Sequence, residues 1–259
     1  MEKEKVGGAC FSKVRIMARM GGKKHMKRAA APKTWKIPRK VYKFTIKPSP
    51  GPYPKDESYP LAVLIRDVLK LVKNYREARV VIKEGKFLVD GVVRKAPDFP
   101  IGLMSVLSIP ILNKAYRILP LPNNPLAPVE IPESEKNLKL CKIKNKVMVK
   151  DGIIQYGLHD GRTIRMADGQ LKPGDTFLIE LPSQRIVQTF KMEPESLVLI
   201  IKGKAMGNIG RIIDIKPGSI TQPKMALIKF DEEEKTLPVD NVFVIGKDSP
   251  ALTMPGWVK

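Results

Sequence analysis

The sequence predicts an α+β chain built of several small modules, and three observations carry that reading. Twenty-three prolines and a low aromatic fraction in 259 residues suggest small units joined by extended connections. Apolar residues recur at helical spacing only within positions 61–83, and the rest reads as short strands set off by Asp-Gly and Pro-Gly turns. The net charge of +21 is concentrated at one end, where residues 1–55 hold 16 basic and 2 acidic residues, or +14. An excess of that size points to a polyanionic partner and away from an ordinary soluble enzyme.

No acid occurs between Lys5 and Lys55, and six prolines lie from Pro32 to Pro54, with the Gly21-Gly22 pair before them. Residues 17–57 therefore read as a basic tail that stays extended until a partner neutralises it. Lys23, Lys24, Lys27, Arg28, Lys33, Lys36, Arg39 and Lys40 are candidate phosphate contacts. Trp35, with Tyr42 and Phe44, is a candidate stacking surface for bases or sugars. A solvated tail, a localisation signal or a membrane-surface tether shares this composition, but the tether lacks the amphipathic helix it needs.

Residues 58–121 read as helix, helix, hairpin. Leu61, Leu64, Ile65, Val68, Leu69 and Val72 give the first helix a buried stripe, which places Arg66, Lys70 and Lys73 on one exposed face. Asn74 and Glu77 form a capping box for a second helix over Tyr75 to Lys83, stopped at Gly85. Arg76, Arg79 and Lys83 share its outer face, with Lys86 just beyond. Phe87-Leu88-Val89, Asp90-Gly91 and Val92-Val93 predict a β-hairpin, and Ser105–Ile109 a further strand. Both helix faces are basic rather than mixed, which favours RNA.

Residues 113–136 read as connection, because Pro120, Pro122, Pro125, Pro128 and Pro132 exclude a helix and disfavour a central strand. Residues 122–192 form a central β unit with turn pairs at Asp151-Gly152, Asp160-Gly161 and Asp168-Gly169 and strands at Thr163–Met166, Thr176–Leu181 and Ile186–Phe190. Arg162 and Arg165 reach phosphate or pair with Asp160 and Asp168, with nothing in the sequence to choose between the two. Residues 193–247 supply five short strands, which fit a small SH3-like barrel. The Gly-rich loop from Lys202 to Arg211 lets a ligand approach the backbone, with Lys202, Lys204, Asn208 and Arg211 as its contacts. The Asp231–Glu234 run reads as a solvated turn, and residues 248–259 as a C-terminal tail.

The chemistry of other classes is missing. Gly207 precedes Asn208 and Gly210 precedes Arg211, so the loop is no Walker A motif. Two histidines, His25 and His159, build no HExxH or Cys/His cluster, so neither metal nor cofactor is expected. Cys10 and Cys141 form no CxxC, which fits a reducing compartment, with Cys141 packing as a small apolar side chain. No apolar run approaches the ~18 residues of a membrane span.

Four ordered stretches resemble the archaeal/eukaryotic S4e type of small-subunit ribosomal protein. They are Met17-Ala18-Arg19 with Gly22 to Arg28, Leu61 to Ile109, Leu140-Cys141-Lys142 with His159 to Arg165, and Gly203 to Ile212 with Asn241 to Lys247. The resemblance implies an alpha-L (S-four-like) RNA-binding domain at 58–121, a central domain at 122–192 and a KOW barrel at 193–247. It implies a non-catalytic component of the cytoplasmic ribosome, with small-subunit ribosomal RNA and neighbouring ribosomal proteins as partners, no membrane and no homo-oligomer. Met17 resembles the family's start, so residues 1–16 read as an upstream start or an extension, and the short C-terminus suggests an archaeal source. Two alternatives stand beside it: a transiently bound KOW-type factor, and an RNA-modifying enzyme with an alpha-L module, for which no catalytic domain is visible.

Overall fold

The computed structural model describes residues 25–254 apart from 39, 123, 150, 151, 168, 220, 221, 231 and 232. The extension 1–16, Cys10, the Gly21-Gly22 pair, Lys23, Lys24, Arg39, Asp151, Asp168 and Asp231 lie outside the described residues.

The described part of the basic tail is docked, against the expectation of an extended, partner-dependent segment. Strand β1 (Met26–Lys27) pairs antiparallel with β2 (Phe44–Thr45). Met26, Trp35 and Ile37 enter the same core as Leu61–Ile65. The Trp35 indole donates to the Ser58 carbonyl at 2.7 Å, and Tyr59 Oη accepts from the Lys36 amide at 2.8 Å. Three apolar anchors scattered among the lysines supply burial that outweighs the local repulsion.

Strand β3 (Ser58–Pro60) leads into α1 (Leu61–Val63), which widens into a π-turn over Leu64–Val68. The helix ends there because Lys70 adopts φ 53°, so Val72 lies outside it and the expected Arg66–Lys70–Lys73 face does not form. Helix α2 (Tyr75–Lys83) has the expected bounds. The Glu77 carboxylate accepts the Asn74 amide at 3.3 Å, and Gly85 at φ 81° stops the helix. Strands β4 (Leu88–Val89) and β5 (Val92–Val93) form the expected hairpin, with Asp90 and Gly91 both at positive φ. Strand β6 (Pro100–Gly102) pairs with β3, and β7 (Val106–Ile109) with β4.

The expected connection at 113–136 is instead a long hairpin of β8 (Lys114–Leu121) and β9 (Asn124–Ile131). It completes a five-stranded sheet ordered β5-β4-β7-β8-β9. The prolines fit because Pro125 and Pro128 lie in the edge strand, where a missing N–H costs nothing, while Pro120 sits at a register shift. The boundary expected at 121/122 therefore falls inside this hairpin.

The central sheet is ordered β12-β11-β10-β13-β14. It comprises β10 (Leu138–Met148), β11 (Ile154–Leu158), β12 (Thr163–Met166), β13 (Thr176–Glu180) and β14 (Ile186–Phe190). The third sheet, β18-β17-β16-β15-β19, comprises β15 (Leu197–Ile200), β16 (Ile209–Lys216), β17 (Met225–Lys229), β18 (Glu234–Pro238) and β19 (Val242–Gly246). One core runs through all three, joining Leu103, Met104 and Leu119 to Leu140, Leu178 and Phe190 and to the inner face of the third sheet.

Gly207, in the loop before β16, has φ 86°, and a Cβ there would lie 2.8 Å from Pro122 Cδ in the β8–β9 turn. Gly203, at φ 103°, has open space instead. Gly207→Ala should cost about 1–3 kcal/mol, since strain and a clash against a ring combine. Gly203→Ala should cost less, which urea midpoints of the two variants will compare.

Candidate nucleic-acid interface

Docking the tail beside α2 creates an open cleft of about 680 Å³ whose lining includes Tyr42, Phe44, Lys47, Tyr75, Arg79 and Lys83. Tyr42, Tyr75 and Phe44 remain 41%, 38% and 51% exposed, large values for aromatic side chains. Arg76, Arg79 and Lys83 recur at positions that share the outer face of α2, and none forms an ion pair among the described residues. Asp98 is the acid in the lining. Unpaired cations beside exposed rings give phosphate neutralisation and a stacking surface together. Tyr42 and Phe44 carry the interleaving visible in the sequence. Tyr75 comes into the cleft only because the tail packs against α2, which no local pattern announces.

Several expected contacts have other work. Trp35 is a core residue, 3% exposed, and stacks on Tyr59 rather than on a ligand. The Arg28 guanidinium closes the tail on itself by donating to the Ile37 and Pro38 carbonyls. Arg66 is held by Asp67 in a two-bond pair at 2.8 and 2.9 Å, with its guanidinium 4.5 Å from the Tyr42 ring centre. Lys70 and Lys73 sit in the turn between the helices. Lys86 pairs with Glu84 at 2.6 Å, and Lys202 pairs with Glu57. Arg162 pairs with Asp90 at 3.1 Å and Asp160 at 3.3 Å, the second of these being the pairing open to it in the sequence. Arg165 stays exposed, 3.3 Å from Gln155 Oε1. Lys27, Lys33, Lys36, Lys40, Lys204, Asn208 and Arg211 are also exposed.

A buried polar cluster, unsuspected in the sequence, sits where the first sheet, the central sheet and the end of the tail meet. The Lys139 ammonium is fully buried and lies 2.6 Å from Asp90 Oδ2, 3.0 Å from Asp160 Oδ2 and 3.2 Å from Tyr53 Oη. Burial opposes its charge, but Asp90, Tyr53 and Asp160 hold its pKa well above the ordinary value. Burial likewise opposes ionisation of Asp160, and the Lys139 charge overrides it, drawing the carboxyl down to about 2. His159 beside it stays neutral, its pKa lowered by burial to about 4.

Cys141, His159 and Asp160 bring three ligand-type atoms within 4.8 Å of one another, but each is committed. Asp160 is held by Lys139 and Arg162, His159 Nδ1 accepts the Lys142 amide at 3.2 Å, and burial pushes the Cys141 thiol up. With an ammonium inside the cluster, the residues suit neither a cation nor an activated thiolate.

Comparison with known proteins gives two family matches: "Ribosomal family S4e" over residues 112–186 and the "RS4NT (NUC023) domain" over residues 20–56. The chain is 42% identical over 248 residues to "Small ribosomal subunit protein eS4" of Methanocaldococcus jannaschii, covering 92% of this chain and 100% of that one. It is 43% identical over 233 residues to the protein of the same name from Archaeoglobus fulgidus, covering 89% and 97%. The crystal structure of 30S ribosomal protein S4e from Thermoplasma acidophilum aligns with a TM-score of 0.64 at 32% identity, covering 75% of this chain and 97% of that one.

Proposed function

From the chain's membership of ribosomal family S4e, we infer that it is a structural, non-catalytic component of the small ribosomal subunit. We read the basic cleft beside α2 as its principal ribosomal RNA contact. The observation that supports this is the run of exposed Arg76, Arg79 and Lys83, without ion pairs among the described residues, beside the exposed rings of Tyr42, Phe44 and Tyr75. Helix, helix and hairpin support an alpha-L reading of the first unit, extended to Ile131 by the β8–β9 hairpin. Five antiparallel strands, with Lys204 and Asn208 exposed in the loop before β16 and Arg211 exposed within that strand, support a KOW barrel in the third.

Binding of this kind follows from charge and shape. The lysines and arginines neutralise phosphates and fix the orientation, while the rings accept unstacked bases. The buried Lys139 cluster ties the tail, the first unit and the central unit together, so their contacts act on the RNA together. An epitope-tagged chain expressed in a related archaeon should remain with small subunits through a high-salt sedimentation cushion. Release into the supernatant under that wash would instead identify a transiently bound factor.

A further inference from the structure

We propose that the cleft between the central and third sheets is a second RNA site, which takes one unpaired nucleotide with its phosphate at a lysine rim and its base on an apolar floor. This rests on the reading that the partner is RNA, and adds a place and a binding mode to it. The cleft measures about 540 Å³, within the range of small-ligand sites, and suits one nucleotide rather than a duplex.

Charge complementarity identifies the occupant. Lys144 and Lys224 stand exposed on the rim and form no ion pair among the described residues. Lys202 joins them, although it also meets Glu57 at the mouth. Behind the rim, buried Lys142 donates to the carbonyls of Val239 at 2.8 Å, Asp240 at 3.2 Å and Val242 at 2.8 Å. Burial, followed by the Lys144 and Lys202 charges against an opposing Asp240, draws the Lys142 pKa down to about 8. Three ammonium groups, one of them paired with Glu57, thus stand at an opening that contains two carboxylates, Glu57 and Asp240, in front of the buried Lys142 charge. In the free protein that arrangement is self-repulsive, and an anion relieves it.

The floor explains why the anion is a nucleotide and not phosphate alone. Ile201, Pro173 and Pro223 give it accessible apolar surface, with Leu103 and Phe243 buried behind and neutral His159 edge-on to Phe243 at 5.6 Å between ring centres. Accessible apolar surface, two proline rings included, below a basic rim matches the flat faces and linked phosphates of an unpaired nucleotide, the form in which proteins most often read RNA.

The test uses the full chain and a short 4-thiouridine-containing oligouridylate, with binding measured across a salt series and the crosslinked peptides identified by mass spectrometry. Lys144→Glu with Lys224→Glu should lower affinity about 20-fold at ~0.1 M salt and reduce the log–log salt slope by roughly 1.4, the value for two single-strand phosphate contacts. It should also abolish crosslinks to the peptide bearing Asn145 or His159. Lys114→Glu with Lys136→Glu, the same charge change away from the cleft, should do neither. If the two double variants behave alike, the inference fails while the α2 reading stands. If Arg79→Glu with Lys83→Glu is also without effect, the RNA reading itself fails. Tripolyphosphate should compete poorly with the oligouridylate for this crosslink; equal competition would overturn the placement of the base.

Discussion

Lys139→Met is expected to destabilise the folded chain by about 3 kcal/mol, at the low end of the 3–5 kcal/mol typical when one partner of a buried pair is removed. The low end applies because Arg162 continues to contact both Asp90 and Asp160. With ordinary domains stable by roughly 5–15 kcal/mol, such a loss is a large share of the total. Adding Asp90→Asn and Asp160→Asn to Lys139→Met should recover much of it, since the penalty comes from stranded carboxylates rather than from a lost ammonium. The pH dependence carries a sign. Asp160 drops from an ordinary 3.8 to about 2 in the folded chain, so its contribution of roughly 2 kcal/mol is complete above pH ~4 and vanishes as pH falls through 2. Without Lys139, burial is the dominant influence and the carboxyl moves up, so acid unfolding should begin at higher pH. Urea midpoints at neutral pH and at pH 4 measure both effects, and a Lys139→Met variant within 1 kcal/mol of the parent at neutral pH would refute the cluster's role.

That cluster marks the limit of what a single sequence shows. The Asp90-Gly91 hairpin and the start and stop of α2 are local matters of capping and φ, and the sequence carries them in plain form. Asp90 reads equally well as an ordinary turn residue, and only the packing of β10 against the first sheet brings Lys139 to it. The burial of Trp35 is hidden in the sequence for a related reason. An aromatic among lysines has the same local pattern whether it faces RNA or folds under the chain, and the receiving groove is formed by Ser58, Tyr59 and Leu61, more than twenty residues on. The prolines of 113–136 misled because proline excludes a central strand but not an edge strand, and edge position is a property of the whole sheet. A single backbone angle at Lys70 takes Lys70 and Lys73 off the helical face and into a turn, while Arg66 stays helical but is held by Asp67. The five strands of the third sheet are legible in number and order, although β16 starts at Ile209, inside the expected loop, and β18 at Glu234, inside the expected turn. The candidate site was legible on α2, where periodicity fixes the exposed face, and illegible wherever an arginine had a carboxylate waiting in another module.

Reversing Arg76, Arg79 and Lys83 to Glu should weaken binding to small-subunit ribosomal RNA by about two orders of magnitude at ~0.1 M salt, and lower the salt slope by about 2–3. The fold should survive, because all three side chains are exposed and α2 keeps its buried residues Ala78 and Ile82. The added negative charge near the helix C-terminus costs only about 0.3–1 kcal/mol through the helix dipole. The slope separates the two halves of the interface. Tyr42→Ala with Phe44→Ala should lose about 1–3 kcal/mol per unstacked base while leaving the slope where it was, since no counterion is released by a ring. Charge variants that weaken binding with an unchanged slope would place the phosphates elsewhere. Ring variants that change the slope would mean that Tyr42 and Phe44 act by positioning the lysines around them. Only steep-slope loss on α2 together with flat-slope loss at Tyr42 and Phe44 fits a cleft in which cations hold the backbone and aromatics hold the bases.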